Sequence, residues 1–299
     1  MSEHELDNTL PASGDGGELA PGAVVDHYQI ERSLGAGGMG VVYLAEDTRL
    51  ARPVALKLLR TRAPVGSDVC RDLCARLLRE ARAMAQLSHP NLISVHDVGT
   101  FAGRVYVAME YVDGWTLRAW SEAEARSVSE RLAVLLAAGR GLAAAHSSGV
   151  VHRDFKPDNV LVARSGRVLV GDFGLARSPG DPAEHCAVVG TPPYMAPELH
   201  RGEPATTRSD QFAFAVTAWE ILVGRYPFPG RTAGELARAI AAGDVVDPPA
   251  STDVPLRVSA VLRRDLRADP RERHESLAAL LDDLEAAAAR RRGLFRRRR

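Results

Sequence analysis

Lysine is almost missing from this sequence. Of 38 Lys and Arg residues, only Lys57 and Lys156 are lysine. A chain so biased towards arginine uses it wherever a generic cation serves, so the two exceptions mark places that need a compact ammonium. Cysteine is scarce too. Cys70, Cys74 and Cys186 cannot form a disulfide framework, and their spacing fits no common zinc pattern. Cys70 and Cys74 stand four apart on one face of an expected helix and read as packing, and a reducing, cytosolic compartment follows. No apolar run approaches the roughly 18 residues a membrane span requires, and no signal peptide is expected. Net charge is also absent, with 38 acidic against 38 basic residues, so no global field calls for nucleic acid. The charge that stands out is local: seven arginines within residues 290–299. A solvated tail is the ordinary reading of that run, and contact with an anionic membrane surface or partner is the alternative.

What is present suits a globular protein. At 299 residues and 45% apolar content, the chain is long enough for one large domain or two lobes. Residues 1–26 lack apolar periodicity and predict a disordered leader. From Tyr28 the pattern is strand, glycine turn, strand: Tyr28–Leu34, then Gly35-Ala36-Gly37-Gly38-Met39-Gly40, then Val41–Ala45. A dinucleotide fold would need a helix straight after the glycines, and a strand follows instead. Val54–Leu59 predicts a strand interrupted by Lys57. A lysine there ordinarily faces solvent from an edge strand, but its rarity points to chemistry. A helix is expected over residues 69–87 with Glu80 in its middle, then strands Leu92–Val98 and Arg104–Tyr111. That makes a five-stranded sheet with one helix. After about residue 115 the chain reads as mostly helical, with helices over Glu130–Ser148 and residues 209–223, others to about 288, and a small hairpin, Val160–Val162 with Val168–Val170.

The densest polar stretch is His152-Arg153-Asp154-Phe155-Lys156-Pro157-Asp158-Asn159, followed by Asp172-Phe173-Gly174. Two carboxylates, an amide and an ammonium at this spacing could hold metal, phosphate and a hydroxyl nucleophile together.

In order and spacing, these signatures resemble the protein kinases, in particular the bacterial eukaryotic-like Ser/Thr kinases, over residues 28 to about 284. The resemblance implies an α+β, two-lobed fold: a five-stranded β lobe with one main helix (27–111), a larger helical lobe (115–286), and an Arg-rich tail (287–299). It implies ATP and Mg²⁺ as cofactors and protein Ser/Thr hydroxyls as acceptors. Leu34, Gly35, Ala36, Gly37, Gly38, Met39, Gly40, Val41, Val42 and Ala55 would surround ATP, with glycine N–H groups over the phosphates. Lys57 would pair with phosphate and be held by Glu80. Met109 would gate the adenine pocket, and Glu110 to Val112 would form the hinge. Asp154 would be the catalytic carboxylate, Lys156 would neutralise charge on the transferred group, and Asn159 and Asp172 would hold Mg²⁺. Gly190 to Glu198 resemble the end of the activation segment, where the peptide substrate docks. Glu198 is expected to pair with Arg273, and Asp210 to tie down the catalytic stretch.

Arg153 is expected to receive a phosphate from the activation loop. The usual threonine positions, however, are Ala183, Glu184 and His185, and the hydroxyls between Asp172 and Glu198 are only Ser178, Thr191 and Tyr194. Activation without loop phosphorylation is therefore expected, with Glu184 or Asp181 a weak substitute for phosphate. A pseudokinase scaffold is the rival reading. A small-molecule kinase is disfavoured by the docking segment.

Overall fold

Alternating apolar residues in two neighbouring strands set the first unit. We analysed a computed structural model that describes residues 18–38, 40–60, 66–173 and 192–289. The strands are β1 (Val24–Val25), β2 (Tyr28–Gly37), β3 (Gly40–Asp47), β4 (Arg52–Leu59), β5 (Val95–Phe101) and β6 (Arg104–Glu110), in the order β1-β2-β3-β4-β6-β5. The sheet has six strands where the sequence predicts five. The extra one lies in the expected leader. Val24 pairs with Gln29 and Val25 with Tyr28, across a turn in which Asp26 takes a positive φ of 55°. The Gly22 N–H donates to the Ile30 carbonyl at 2.8 Å, so order starts well before residue 27. Backbone pairing two residues long leaves no periodicity to detect.

Strand alternation gives the sheet two different faces. Tyr28, Ile30, Val41, Tyr43, Val54, Leu56, Tyr106 and Ala108 pack into one core. Val42, Leu44, Ala55, Lys57, Val107 and Met109 share the opposite face, because Val42, Lys57 and Val107 are register partners, as are Leu44, Ala55 and Met109.

The second unit comprises Arg79–His96 and everything from Val112 onward. Helix α1 (Asp68–Ala85) thus begins in the first unit and ends in the second. The cause is local. Met84 and Leu87 pack on the second unit's core, and the Ile93 N–H donates to the Val170 carbonyl at 3.0 Å. Helix α3 comes so close that a Cβ on Gly141 would lie 2.3 Å from the Asn91 carbonyl oxygen. Leu92 makes an isolated parallel bridge to Val170 rather than starting β5.

The rest of this unit is a three-stranded sheet and a helical body. Strand β7 (Gly114–Thr116) pairs with β8 (Val160–Ala163), which pairs with β9 (Val168–Val170). The helices are α2 (Leu117–Ala123), α3 (Val128–Ser147), α4 (Pro197–His200), α5 (Thr207–Val223), α6 (Ala233–Ala242), α7 (Leu256–Asp265) and α8 (Leu277–Ala289). A capping box between Ser127 and Glu130 starts α3, and left-handed Gly224 stops α5. Helix α5 is apolar on all sides, so it lies buried at the centre, with Phe212, Phe214 and Trp219 fully covered.

Candidate active site

One carboxylate organises the polar stretch. Asp210, in the first turn of α5, accepts from the backbone N–H of His152 at 2.6 Å and of Arg153 at 2.8 Å, and meets His146 Nε2 at 2.8 Å. Arg153 and Asp172 both take the left-handed region, with φ of 67° and 57°. Such a conformation costs a non-glycine residue about 1–3 kcal/mol and persists only where neighbours over-determine it. For Arg153 those neighbours include the two oxygens of Asp210.

His152 is fully buried between Phe155 and Phe173, with ring centroids 5.6 and 4.5 Å away. Its Nδ1 accepts from the Asp154 N–H at 3.3 Å, and its Nε2–H donates to the Gly171 carbonyl at 2.9 Å. The bond accepted at Nδ1 requires the neutral imidazole, and burial pushes its pKa down, against the pull of Asp210 and the other acids around it. The imidazole of His152 therefore links Asp154 to the strand end before Asp172. Its lowered pKa fixes the sign of a pH effect. The unfolded chain takes up a proton below about pH 6.5 that the native state refuses, so stability is full above that pH and falls below it, by up to about 1.4 kcal/mol per pH unit for one proton. Urea denaturation at pH 7.5, 6.5 and 5.5 measures this slope. His152→Phe should flatten it, leaving the part due to His200, which burial also lowers.

The next residues surround one oxygen. Lys156 Nζ donates to Asp154 Oδ2 at 2.9 Å, and Asn159 Nδ2 donates to the Asp154 carbonyl at 2.7 Å and to Oδ2 at 3.4 Å. Pro157 opens a 3-10 turn, Pro157–Asn159, and holds Lys156 extended before it. Asp154 and Asn159 are buried. Because the amide nitrogen of Asn159 is spent on Asp154, its Oδ1 is left as an oxygen ligand of the kind Mg²⁺ takes. Arg153 also has an anion close by, since its Nη1 lies 3.8 Å from Glu80 Oε1. Nothing in the local pattern marks that pair, because residues 73 positions apart carry no shared periodicity.

In the first unit, Lys57 is 5% exposed on a strand flanked by β3 and β6, which removes the edge-strand reading. Val42, Ala55 and Met109 share its face. Val41 does not: its side chain is buried in the opposite core, so any contact it makes with a ligand on the Lys57 face runs through its backbone. Leu34, Gly35, Ala36, Gly37 and Gly38 are exposed. A Cβ on Gly35, Gly37 or Gly38 would meet nothing within 4 Å, so protein packing does not require those glycines, and the space beside them suits a phosphate chain. Gly40 is different, because a Cβ there would come within 2.3 Å of the Leu58 carbonyl oxygen. Glu110 and Val112 are half-buried.

Asp26, His27 and Asp97 gather elsewhere in this unit. Tyr106 donates to Asp26 at 3.0 Å and Tyr28 to Asp97 at 3.3 Å, which explains the cluster as a hydrogen-bond network. Met39, Gly174, Ser178, Asp181, Ala183, Glu184, His185, Cys186, Gly190, Thr191 and residues 290–299 of the expected arginine tail lie outside the described residues, whereas residues 287–289 end α8.

Glu198 and Arg273 form the pair expected from the sequence. Arg273 Nη1 and Nη2 bind the two oxygens of Glu198 at 2.9 Å each, Ser209 donates to the same carboxylate at 2.9 Å, and the guanidinium lies 5.0 Å from the Phe212 ring centroid. Cys70 and Cys74 do share a helix face, both with sulfur near the Gly103 carbonyl.

Comparison with known proteins agrees with this geometry. Residues 28–283 match the family described as the protein kinase domain. A serine/threonine-protein kinase PknJ of Mycobacterium tuberculosis is 38% identical over 270 residues, which is 87% of this chain and 45% of that protein. A probable serine/threonine-protein kinase PknB of Lactococcus lactis is 40% identical over 216 residues, 71% of this chain and 34% of that one. A PknB of Mycobacterium tuberculosis is 36% identical over 276 residues, covering 88% and 43% respectively. The chain thus spans less than half the length of these curated relatives. By the extent of the family match, this chain belongs to the protein kinase domain family.

Proposed function

We propose that this chain is a Ser/Thr protein kinase, which moves the γ-phosphoryl group of ATP to Ser or Thr hydroxyls of protein substrates. The observation that carries the reading is the arrangement about Asp154. One carboxylate oxygen is fixed by an ammonium and an amide, on a loop strapped to α5 by Asp210. In the transfer, the acceptor oxygen bonds to phosphorus as the bond to the bridging oxygen of ADP breaks, and Asp154 orients the hydroxyl and takes its proton. Lys156, already on Asp154, stabilises charge on the passing group.

The remaining roles are assigned by the same reading. Lys57 binds ATP phosphates and Glu80 supports it. Gly35, Gly37 and Gly40 cover the phosphates, with Leu34, Ala36, Gly38, Met39 and the Val41 backbone alongside. Val42, Ala55 and Met109 receive adenine, and Glu110 and Val112 bind its edge. Asn159 and Asp172 hold Mg²⁺, which neutralises phosphate charge when bound. The oxygen of Asn159 and the empty space beside the glycines fit those groups.

The kinase domain is proposed for residues 27–286, with an arginine tail beyond it. That tail is proposed to contact an anionic membrane or partner, and the chain to act in the cytoplasm. Among the described residues no helix is long and apolar enough to cross a membrane. Activation is proposed not to need loop phosphorylation, because the usual threonine positions are Ala183, Glu184 and His185, with Glu184 or Asp181 a weak substitute for the phosphate. Mass spectrometry of the active protein should find no activating phosphate between Asp172 and Glu198, and phosphatase treatment should leave its rate unchanged. An activating phosphate on that loop would overturn this point. The kinase reading as a whole is tested by phosphate incorporation in the wild type against Asp154→Asn.

A further inference from the structure

Arg118 is the second residue after β7 and stands in the first turn of α2. Its guanidinium joins three parts of the second unit. Nε and Nη2 each donate to the Asp158 carboxylate at 3.0 Å, Nη1 donates to Glu220 on α5 at 2.7 Å, and Nη2 donates to the Tyr194 hydroxyl at 2.7 Å. Tyr194 in turn donates to the other oxygen of Glu220 at 2.5 Å, and its hydroxyl lies 2.8 Å from that of Tyr226. Burial, followed by the bond to Glu220, raises the Tyr194 pKa far above its ordinary value, so its hydroxyl keeps the proton it donates. Asp158 lies next to Asn159 and two residues past Lys156. Tyr194 closes the 3-10 turn at the start of the described docking segment.

We propose that Arg118 is a positioning residue for the phosphoacceptor. It holds the loop that carries Asp154 in register with the segment that docks the acceptor peptide. This rests on the kinase reading above. A planar guanidinium is needed for the role, because it binds Asp158 as a fork while its remaining N–H groups reach Glu220 and Tyr194, and an ammonium cannot make that set of bonds at once. Misplacement of an acceptor by about 1 Å costs on the order of 100-fold in rate, whereas ATP is assigned to residues that Arg118 does not touch.

The test uses the full chain with myelin basic protein as acceptor. It measures rates against acceptor and against ATP, ATP hydrolysis without acceptor, and Tm. Arg118→Ala should lower kcat/KM for the acceptor by about 10- to 100-fold, while KM for ATP moves by less than about 3-fold. Arg118→Lys should recover only part of the loss. Tyr194→Phe keeps the bond to Asp158 and severs the link to the docking segment, so it should lower acceptor kcat/KM as well, and it decides the matter if Arg118→Ala does not fold. Acceptor kinetics within about twofold of wild type in Tyr194→Phe and in any folded Arg118 variant would overturn the proposal. So would equal losses of transfer and ATP hydrolysis that track a lowered Tm. A wild type that transfers no phosphate refutes the kinase reading and this proposal with it, whereas an active wild type with unaffected variants refutes this proposal alone.

Discussion

Asp154→Asn should lower phosphoryl transfer by about 1,000-fold or more, in the upper range for loss of a general base at a reacting proton. The asparagine is nearly the same size and can still accept from Lys156, so folding and nucleotide binding should persist. Lys57→Met should act differently. Lys57 is buried on a central strand, and methionine keeps the apolar stem while removing the ammonium, so the fold should persist. Transfer should still fall by about 100-fold or more, because a charge aimed at phosphate oxygens is gone. Nucleotide titration with rates measured in parallel separates the two variants: Asp154→Asn keeps affinity and loses rate, and Lys57→Met loses both.

The second large effect concerns stability. Arg273 is fully buried and Glu198 nearly so, and their paired bonds satisfy each other in the interior. Replacing one partner strands the other charge, at a cost of about 3–5 kcal/mol. Arg273→Met should therefore lower Tm by about 10 °C for a domain of this size, as read by thermal denaturation. Adding Glu198→Gln should recover much of the loss, because a neutral amide replaces the stranded carboxylate. Burial alone would push the Glu198 carboxyl up, but the Arg273 bonds and charge more than offset it, and its pKa is lowered on balance. Its stabilising contribution is thus present above the ordinary glutamate value, about 4.3. It is lost as pH falls through the lower native value, and Arg273→Met should abolish that acid-side dependence.

Much of the fold was legible because its signals are local. The lysine shortage marked Lys57 and Lys156 without reference to structure, and the structure finds the first buried on a central strand and the second on Asp154. The apolar pattern over residues 209–223 located α5, and Asp210 at its start reaches the His152–Asn159 stretch as expected. Features built by backbone pairing were not legible. Strand β1 is two residues of a glycine-rich leader, and β7 hides behind Asp113-Gly114, a dipeptide that reads as a break. The division of α1 between two units follows from Met84 and Leu87 packing on a distant core, and the sequence carries no mark of which core an apolar face will choose. The Arg118 network was equally hidden. In a chain with 36 arginines no single one stands out, and its partners lie 40, 76 and 102 positions away.

Arg153 shows how tertiary structure can alter a motif's reading. By sequence it is an anion receptor without its usual phosphate. In the structure its guanidinium stands 3.8 Å from Glu80 on α1. Its backbone is held in a strained conformation by Asp210 at the start of α5.

The most direct test of the kinase assignment is the chemical form of the transferred phosphate. Wild-type protein is incubated with γ-labelled ATP, Mg²⁺ and a protein acceptor, and the labelled amino acids are identified after acid hydrolysis. Label on phosphoserine or phosphothreonine, lost in Asp154→Asn, is the predicted result. Label that is absent from the wild type, or equal in wild type and variant, would contradict it.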